Sequence, residues 1–239
     1  MTPTVIITGA AKRIGAALAR SLAAEGWDVV LHYNYSRDEA KALAKELKSK
    51  YMGRNFPVVQ CDLSNTDAVL SFFERLPSGN EKPMALINNA STFNAGSIEE
   101  TSPALLRKEM EVNFDAPFFL LQSFKNSFEK GTIINILDTK ITSNEGSHAA
   151  YLLAKKNLAA LTKMAALAFS PDVRVNAVAP GPVLAPARKS EDYLVEKAGN
   201  TPLRRKVELS DIAASVSFLL NTPSITGQII YCDSGLHLL

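Results

Sequence analysis

A short β-branched run, Thr4-Val5-Ile6-Ile7, passes directly into Thr8-Gly9-Ala10-Ala11-Lys12-Arg13-Ile14-Gly15, and Ile14, Leu18 and Leu22 then recur at helical spacing up to Glu25. Strand, glycine turn and helix in that order restrict what the chain can build. Gly9 permits a tight turn, Gly15 lets helix and strand approach closely, and the amino end of the helix offers free N–H groups to a pyrophosphate. A loose glycine pattern is weak evidence by itself. Its position between a strand and a helix is what gives this one meaning, the alternative being a turn with no ligand.

The same alternation continues along the chain. Strand-like runs at Thr4–Ile7, Asp28–His32, Val58–Cys61, Ala85–Asn88, Thr132–Leu137, Arg174–Val178 and Gln228–Cys232 are separated by helical patterns. The helical patterns fall at Arg13–Glu25, Arg37–Lys50, Asp67–Arg75, Pro103–Phe128, His148–Phe169 and Ser210–Leu220. This order predicts an α/β fold: one Rossmann-type doubly wound domain over residues 1–239, with a seven-stranded, mostly parallel sheet and helices on both faces. A hydrophobic fraction of 46% supports one large core, and a net charge of +2 gives no reason to expect nucleic acid or an anionic membrane as partner. Met1-Thr2-Pro3-Thr4 runs straight into the first strand, no stretch reaches the about 20 apolar residues of a membrane span, and a cytoplasmic protein is expected. Cys61 and Cys232 suggest neither a disulfide framework nor a metal site. The one long irregular stretch is Pro182 to Lys206, and a loop of that length in a compact domain is usually functional or disordered.

Further along, Asp138 ends an apolar run thirteen residues before Tyr151-Leu-Leu-Ala-Lys155. Residues four apart share a helix face, so Tyr151 and Lys155 are expected to point into one site. A free tyrosine titrates at about 10. A nearby ammonium favours the phenolate, which predicts a lowered value and a proton donor usable near neutral pH. Alone, Tyr-x-x-x-Lys is ordinarily a surface pair, but here it shares the chain with the glycine turn.

The two motifs together resemble the short-chain dehydrogenase/reductase family, over essentially the whole chain. Asn88-Asn89-Ala90-Ser91 is similar to the family's Asn-Asn-Ala-Gly segment, with serine in place of glycine. Asn113 matches the family's structural and catalytic asparagine, Pro180-Gly181 the turn set against the nicotinamide, and Asp62-Leu63 the segment bordering the adenine. The resemblance implies a catalytic set of Asn113, Asp138, Tyr151 and Lys155. It also implies a nicotinamide dinucleotide held by Gly9, Arg13, Ile14, Gly15, Asp62, Leu63, Asn89, Ala90, Lys155, Pro180 and Gly181. Residues 182–206 would be a mobile lid closing over substrate, and Pro103–Phe128 and His148–Phe169 would lie in the interfaces of a homotetramer. His148 and His237 have no partner identifiable in the sequence, and His237 is expected at the surface.

Charge indicates which cofactor fits. A carboxylate about 20 residues past the glycine motif would bind a ribose 2′-hydroxyl and mark NAD. The second strand instead ends Leu31-His32-Tyr33-Asn34-Tyr35-Ser36-Arg37, with no carboxylate before Asp38. His32, Ser36 and Arg37, with Arg13, offer donors and positive charge to a 2′-phosphate, so NADPH is expected, a solvated strand end being the alternative.

Departures from the family pattern narrow the activity. Arg13 stands where most members have glycine, and Asp138 where most have serine. Both resemble the pteridine reductases, whose turn reads Thr-Gly-x-x-Lys-Arg-x-Gly and whose site uses Asp, Tyr and Lys. His32-Tyr33 with Ser36, and Asn89-Ala90-Ser91-Thr92-Phe93, are similar to that subgroup's His-Tyr-x-x-Ser and Asn-Ala-Ser-x-Phe segments. Tyr35 departs from it where some members carry a basic residue, and with Leu239 last no carboxy-terminal arginine of the kind some members lend to a neighbouring subunit is expected. The resemblance implies reduction of a pterin, dihydropterin or dihydrofolate, the ring stacked between nicotinamide and Phe93 and its polar edge held by Ser91 and Arg13. Tyr151 and Asp138 would then relay a proton. Two alternatives stand beside it: a carbonyl reductase, such as one acting on a 3-oxoacyl thioester, and a non-catalytic NADPH sensor. A carboxylate facing a carbonyl oxygen counts against the first, and an intact Asn113, Tyr151 and Lys155 against the second.

Overall fold

A computed structural model describes residues 2–76, 84–184 and 191–239, with backbone only for 191–193. In chain order the elements are β1 (Thr4–Ile7), α1 (Arg13–Ala24), β2 (Asp28–Tyr33), α2 (Arg37–Lys50), β3 (Val58–Gln60), α3 (Thr66–Leu70) and β4 (Ala85–Asn88). There follow α4 (Pro103–Met110), α5 (Ala116–Ser127), β5 (Gly131–Ile136), α6 (Ala149–Ala168), β6 (Val173–Pro180), α7 (Glu191–Gly199), α8 (Leu209–Asn221) and β7 (Ile229–Cys232).

The strands form one seven-stranded sheet in the order β3-β2-β1-β4-β5-β6-β7. Every adjacent pair is parallel, so the sheet is wholly rather than mostly parallel. Successive side chains of a strand point to opposite faces, and β1 shows it. Val5 and Ile7 enter a core with Leu18 and Leu22 of α1 and Val216 and Leu219 of α8. Ile6, between them, enters the opposite core with Leu120, Leu121 and Phe124 of α5. Because both faces are covered, the central strands read as continuous apolar runs. The order in which strands are added switches sides between β1 and β4, and that switch point opens a crevice at the strands' carboxyl ends, where ligands bind in such sheets.

Three predicted elements differ from what is observed. The helical pattern Pro103–Phe128 is two helices joined by a π-helical turn, Glu111–Asp115. The pattern Asp67–Arg75 divides into α3 and a 3-10 turn, Phe73–Arg75. The stretch 182–206, read as irregular, contains α7, while its residues 185–190 lie outside the described residues.

Candidate active site

The glycine turn between β1 and α1 is built as its residue types require. Gly9 has φ +62°, and a Cβ there would come within 2.9 Å of the Ala90 Cα. A Cβ on Gly15 would lie 2.2 Å from the Gly9 carbonyl oxygen and 2.7 Å from the Asn89 amide nitrogen. Arg13 has φ +54°, a left-handed conformation that explains why glycine suits this position. Its guanidinium donates to the Leu184 carbonyl across the crevice at 3.5 Å.

A groove of about 430 Å³ runs over this turn. Of the predicted cofactor residues, Gly9, Arg13, Ile14, Gly15, His32, Ser36, Asp62, Leu63, Asn89 and Ala90 line it, while Tyr33 and Arg37 do not. Lys12, Asn34 and Tyr35 line it too, although none of them was expected among the cofactor residues. Lys12, exposed and ion-paired with Glu39 at 2.6 Å, had a signal in the Lys-Arg pair itself. Asn34 donates to the Asp62 carboxylate at 3.1 Å, a contact between neighbouring strand ends that no local pattern announces.

His32 does not offer charge to a phosphate. The ring is 1% exposed; its Nδ1 accepts from the Gly9 N–H at 3.0 Å, and the Cys61 carbonyl lies 3.0 Å from Nε2. The Gly9 donor fixes the tautomer, so Nε2 carries the proton given to Cys61. Burial lowers its pKa to about 4, opposed in part by that carbonyl. His32 is therefore a neutral brace joining the glycine turn to β2 and β3.

A second cleft, of about 730 Å³, continues from the groove and shares Arg13, Ile14, Asn89 and Ser91 with it. Phe93, Asp138, His148, Tyr151, Lys155, Pro180 and Gly181 line this cleft. Tyr151 and Lys155 sit one turn apart on α6 and are both buried. The Tyr151 hydroxyl donates to Asp138 Oδ2 at 2.9 Å, and Asp138 Oδ1 accepts from the Lys140 N–H at 2.8 Å. Lys155 Nζ donates to the Ile136 carbonyl at 2.9 Å. The expected lowering of the Tyr151 pKa is reversed. Burial first, then the Asp138 carboxylate, push it well above its ordinary value, and burial draws Lys155 down to about 8. The tyrosine is thus a neutral phenol with its hydrogen on Asp138.

The neighbour of Asp138 is anchored from the far end of the chain. Thr139 donates its hydroxyl to Asp233, which also accepts from the backbone N–H groups of Gly235 at 2.9 Å and His237 at 2.8 Å. His237, expected at the surface, is half-buried, hydrogen-bonded to Asp233 and stacked on Tyr231 with centroids 4.2 Å apart.

Asn113 stands in the π-helical turn, fully buried, and does not line the cleft. Its Oδ1 accepts from the Thr92 N–H at 3.2 Å and the Ser91 hydroxyl at 2.6 Å. Its Nδ2 donates to the Thr92 carbonyl at 3.2 Å and to Glu109 at 2.8 Å. Its amide clamps the β4–α4 loop, the structural half of the role expected of it. That loop carries Phe93, 51% exposed and so no core residue. Phe93 stacks on His148 at 4.2 Å and meets Tyr151 perpendicularly at 4.8 Å. His148, unassigned in the sequence, is therefore part of the cleft's aromatic wall.

Comparison with known proteins agrees with this geometry. A family model described as enoyl-(acyl carrier protein) reductase matches residues 9–237. Pteridine reductase 1 of Leishmania tarentolae is 31% identical, over 99% of this chain and 96% of that one. A 3-oxoacyl-[acyl-carrier-protein] reductase, FabG of Staphylococcus epidermidis, is 28% identical over the full length of both. The crystal structure of FolM alternative dihydrofolate reductase 1 from Brucella canis, complexed with NADP, superposes with a TM-score of 0.92 at 32% identity, covering 99% of this chain and 95% of that one. The chain belongs to the short-chain dehydrogenase/reductase family of oxidoreductases, and its kinship is with the pteridine-reductase-like members.

Proposed function

We propose that this enzyme reduces a pterin or dihydropterin to the tetrahydro form with NADPH, dihydrofolate being a related candidate. The observation that carries this reading is the Asp138–Tyr151 hydrogen bond of 2.9 Å beside the half-exposed ring of Phe93. A carboxylate here would repel the oxyanion of a carbonyl substrate, whereas a ring nitrogen needs only a proton. Phe93 supplies a flat wall for a flat ring.

The turn fits the cofactor, since Gly9 and Gly15 let it close tightly against Ala90 and Asn89 and leave a groove over the amino end of α1. Gly9, Ile14, Gly15, Asn89 and Ala90 would hold the pyrophosphate and adenosine, with Asp62 and Leu63 at the adenine. Lys12, Arg13 and Ser36 would hold the 2′-phosphate, and Lys155, Pro180 and Gly181 the nicotinamide end. When bound, NADPH supplies the hydride. Tyr151 passes its proton to the ring nitrogen while Asp138 hands on a proton taken from solvent in the cleft, because a phenolate 2.9 Å from a carboxylate is strongly disfavoured. The Lys155 ammonium offsets negative charge along that path. Ser91 and Arg13 hold the polar edge of the substrate. Residues 182–206 act as the lid, with Leu194 of α7 already lining the cleft. Exposed Phe118 on α5 and exposed Leu153, Met164 and Leu167 on α6 support a homotetramer built on these helices. Among the described residues no helix is long and apolar enough to cross a membrane, and a cytoplasmic site of action is part of the proposal.

The full-length identity to FabG favours, as second reading, a 3-oxoacyl thioester substrate. NADPH oxidation with dihydrobiopterin, dihydromonapterin, dihydrofolate and acetoacetyl thioester, side by side, separates the two. Turnover of the thioester alone refutes the pterin reading. A Tyr151→Phe variant with undiminished turnover of fully oxidised pterin refutes the relay. Undiminished turnover of dihydropterin alone does not, since its N5 can take a proton from water.

A further inference from the structure

Glu109, on the last turn of α4, is 0% exposed and has no ion pair among the described residues. A buried carboxylate without a cation is costly unless hydrogen bonds satisfy it, and here two amides do. Asn94 Nδ2 donates to its Oε1 at 2.5 Å, and Asn113 Nδ2 to its Oε2 at 2.8 Å. These two bonds reach the β4–α4 loop on either side of Phe93. Asn94 follows Phe93 directly, and Asn113 grips both backbone polar groups of Thr92, which precedes it. The Thr92 N–H and carbonyl also fix which way the Asn113 amide points, so its Nδ2 must face an acceptor and Glu109 supplies one. Half-exposed Phe93 is met by His148 and Tyr151 rather than enclosed in a core, so its flanks share in setting its position.

We propose that Glu109 is a positioning residue for Phe93: through Asn94 and Asn113 it holds the aromatic wall at the distance a planar substrate ring requires, and so sets selectivity for flat heterocycles. The kinetic part of this rests on the pterin reading; the placement of Phe93 does not. Negative charge at Glu109 is also felt at Lys155, where it favours the ammonium.

The test uses protein labelled with 13C at histidine Cε1. His32, His148 and His237 are the three histidines, so three signals arise, and a His148→Gln variant identifies one of them. In the wild type the His148 signal carries the ring-current shift of the stacked Phe93. Asn94→Ala and Glu109→Leu are expected to abolish that shift. Glu109→Gln keeps it, because the glutamine oxygen still accepts from Asn113 while Asn94 turns its own oxygen toward the new amide. KM for dihydrobiopterin rises about threefold to tenfold in Asn94→Ala, the equivalent of losing a well-placed aromatic contact, with a smaller change in kcat. In a Phe93→Ala background the same change adds nothing further. Asn94 is only half-buried, so its variant decides the matter even if Glu109→Leu does not fold. An unmoved His148 signal in Asn94→Ala, or a KM effect that persists without Phe93, overturns the proposal. A displaced signal in a protein that reduces no pterin upholds the positioning role and refutes the substrate assignment instead.

Discussion

Replacing Lys155 by methionine separates the cost of the active site from its use. The ammonium is buried, and its pKa falls from the ordinary 10.5 to about 8. That difference corresponds to about 3 kcal/mol. Between those values the unfolded chain binds a proton that the folded chain does not, so wild-type stability rises with pH across this window. Charged Lys155 therefore destabilises the fold at neutral pH, and above 10.5 the penalty is gone. Lys155→Met removes the pH-dependent part altogether. It also leaves the Ile136 carbonyl without its donor, at a nearly pH-independent cost of about 1–3 kcal/mol, so stability at a single pH does not decide the matter. The informative quantity is the change in the gap between the two proteins. Followed by thermal melting from neutral pH to 10.5, wild type should gain about 6–12 °C relative to the variant. Turnover should be abolished in the variant throughout. Parallel melting curves between pH 8 and 10.5 would refute the buried-ammonium account, since an unperturbed lysine gives no differential slope.

Three further outcomes are expected. His32, held neutral with a pKa lowered from 6.5 to about 4, contributes stability that is complete above 6.5 and lost as pH falls toward 4, about 3 kcal/mol in all. Urea midpoints of wild type and His32→Asn should converge by that amount between neutral pH and 4, and an unchanged gap refutes the neutral brace. Gly15→Ala places a methyl 2.2 Å from the Gly9 oxygen, so α1 must shift. Stability should fall by about 1–3 kcal/mol and NADPH binding, measured by fluorescence, should be lost; a variant that binds NADPH normally contradicts the close approach. Arg13→Gly relieves a left-handed residue but frees the unfolded chain, so melting should shift by no more than about 1 kcal/mol while NADPH affinity weakens at least tenfold, about 1.4 kcal/mol. A large loss of stability would mean that the arginine holds the turn rather than the ligand.

What the sequence made legible was what local pattern encodes. Val5, Ile6 and Ile7 announced a strand buried on both faces, and the glycine spacing announced the turn. Tyr151 and Lys155 do share a face of α6. What escaped depended on contacts distant in sequence. His32 has the same residue type whether it offers charge to a phosphate or braces Gly9, and only its 1% exposure and its two partners distinguish these roles. The π-helical turn at Glu111–Asp115 breaks no apolar period, yet it brings Asn113 against Thr92, residues 21 apart. The Asp233–Thr139 bond joins residues 94 apart.

The reversal at Tyr151 carries the most weight for mechanism. A lysine one turn along suggests a phenol made acidic, but charge acts through its surroundings as well as its spacing. Lys155 is itself desolvated and committed to the Ile136 carbonyl, while Asp138 meets the phenol directly. Burial and this carboxylate together therefore outweigh the lysine, and Tyr151 holds its proton more tightly than an ordinary phenol. A serine at position 138 would leave the phenol free to ionise in the field of the lysine, the state suited to reducing a carbonyl. Under the proposed function, aspartate makes tyrosine a conduit that gives a proton only as it receives one. Such a pair suits a substrate whose reduction leaves a basic nitrogen to be protonated, and it gives the Asp138→Ser variant a distinct expectation: carbonyl turnover gained as oxidised-pterin turnover falls.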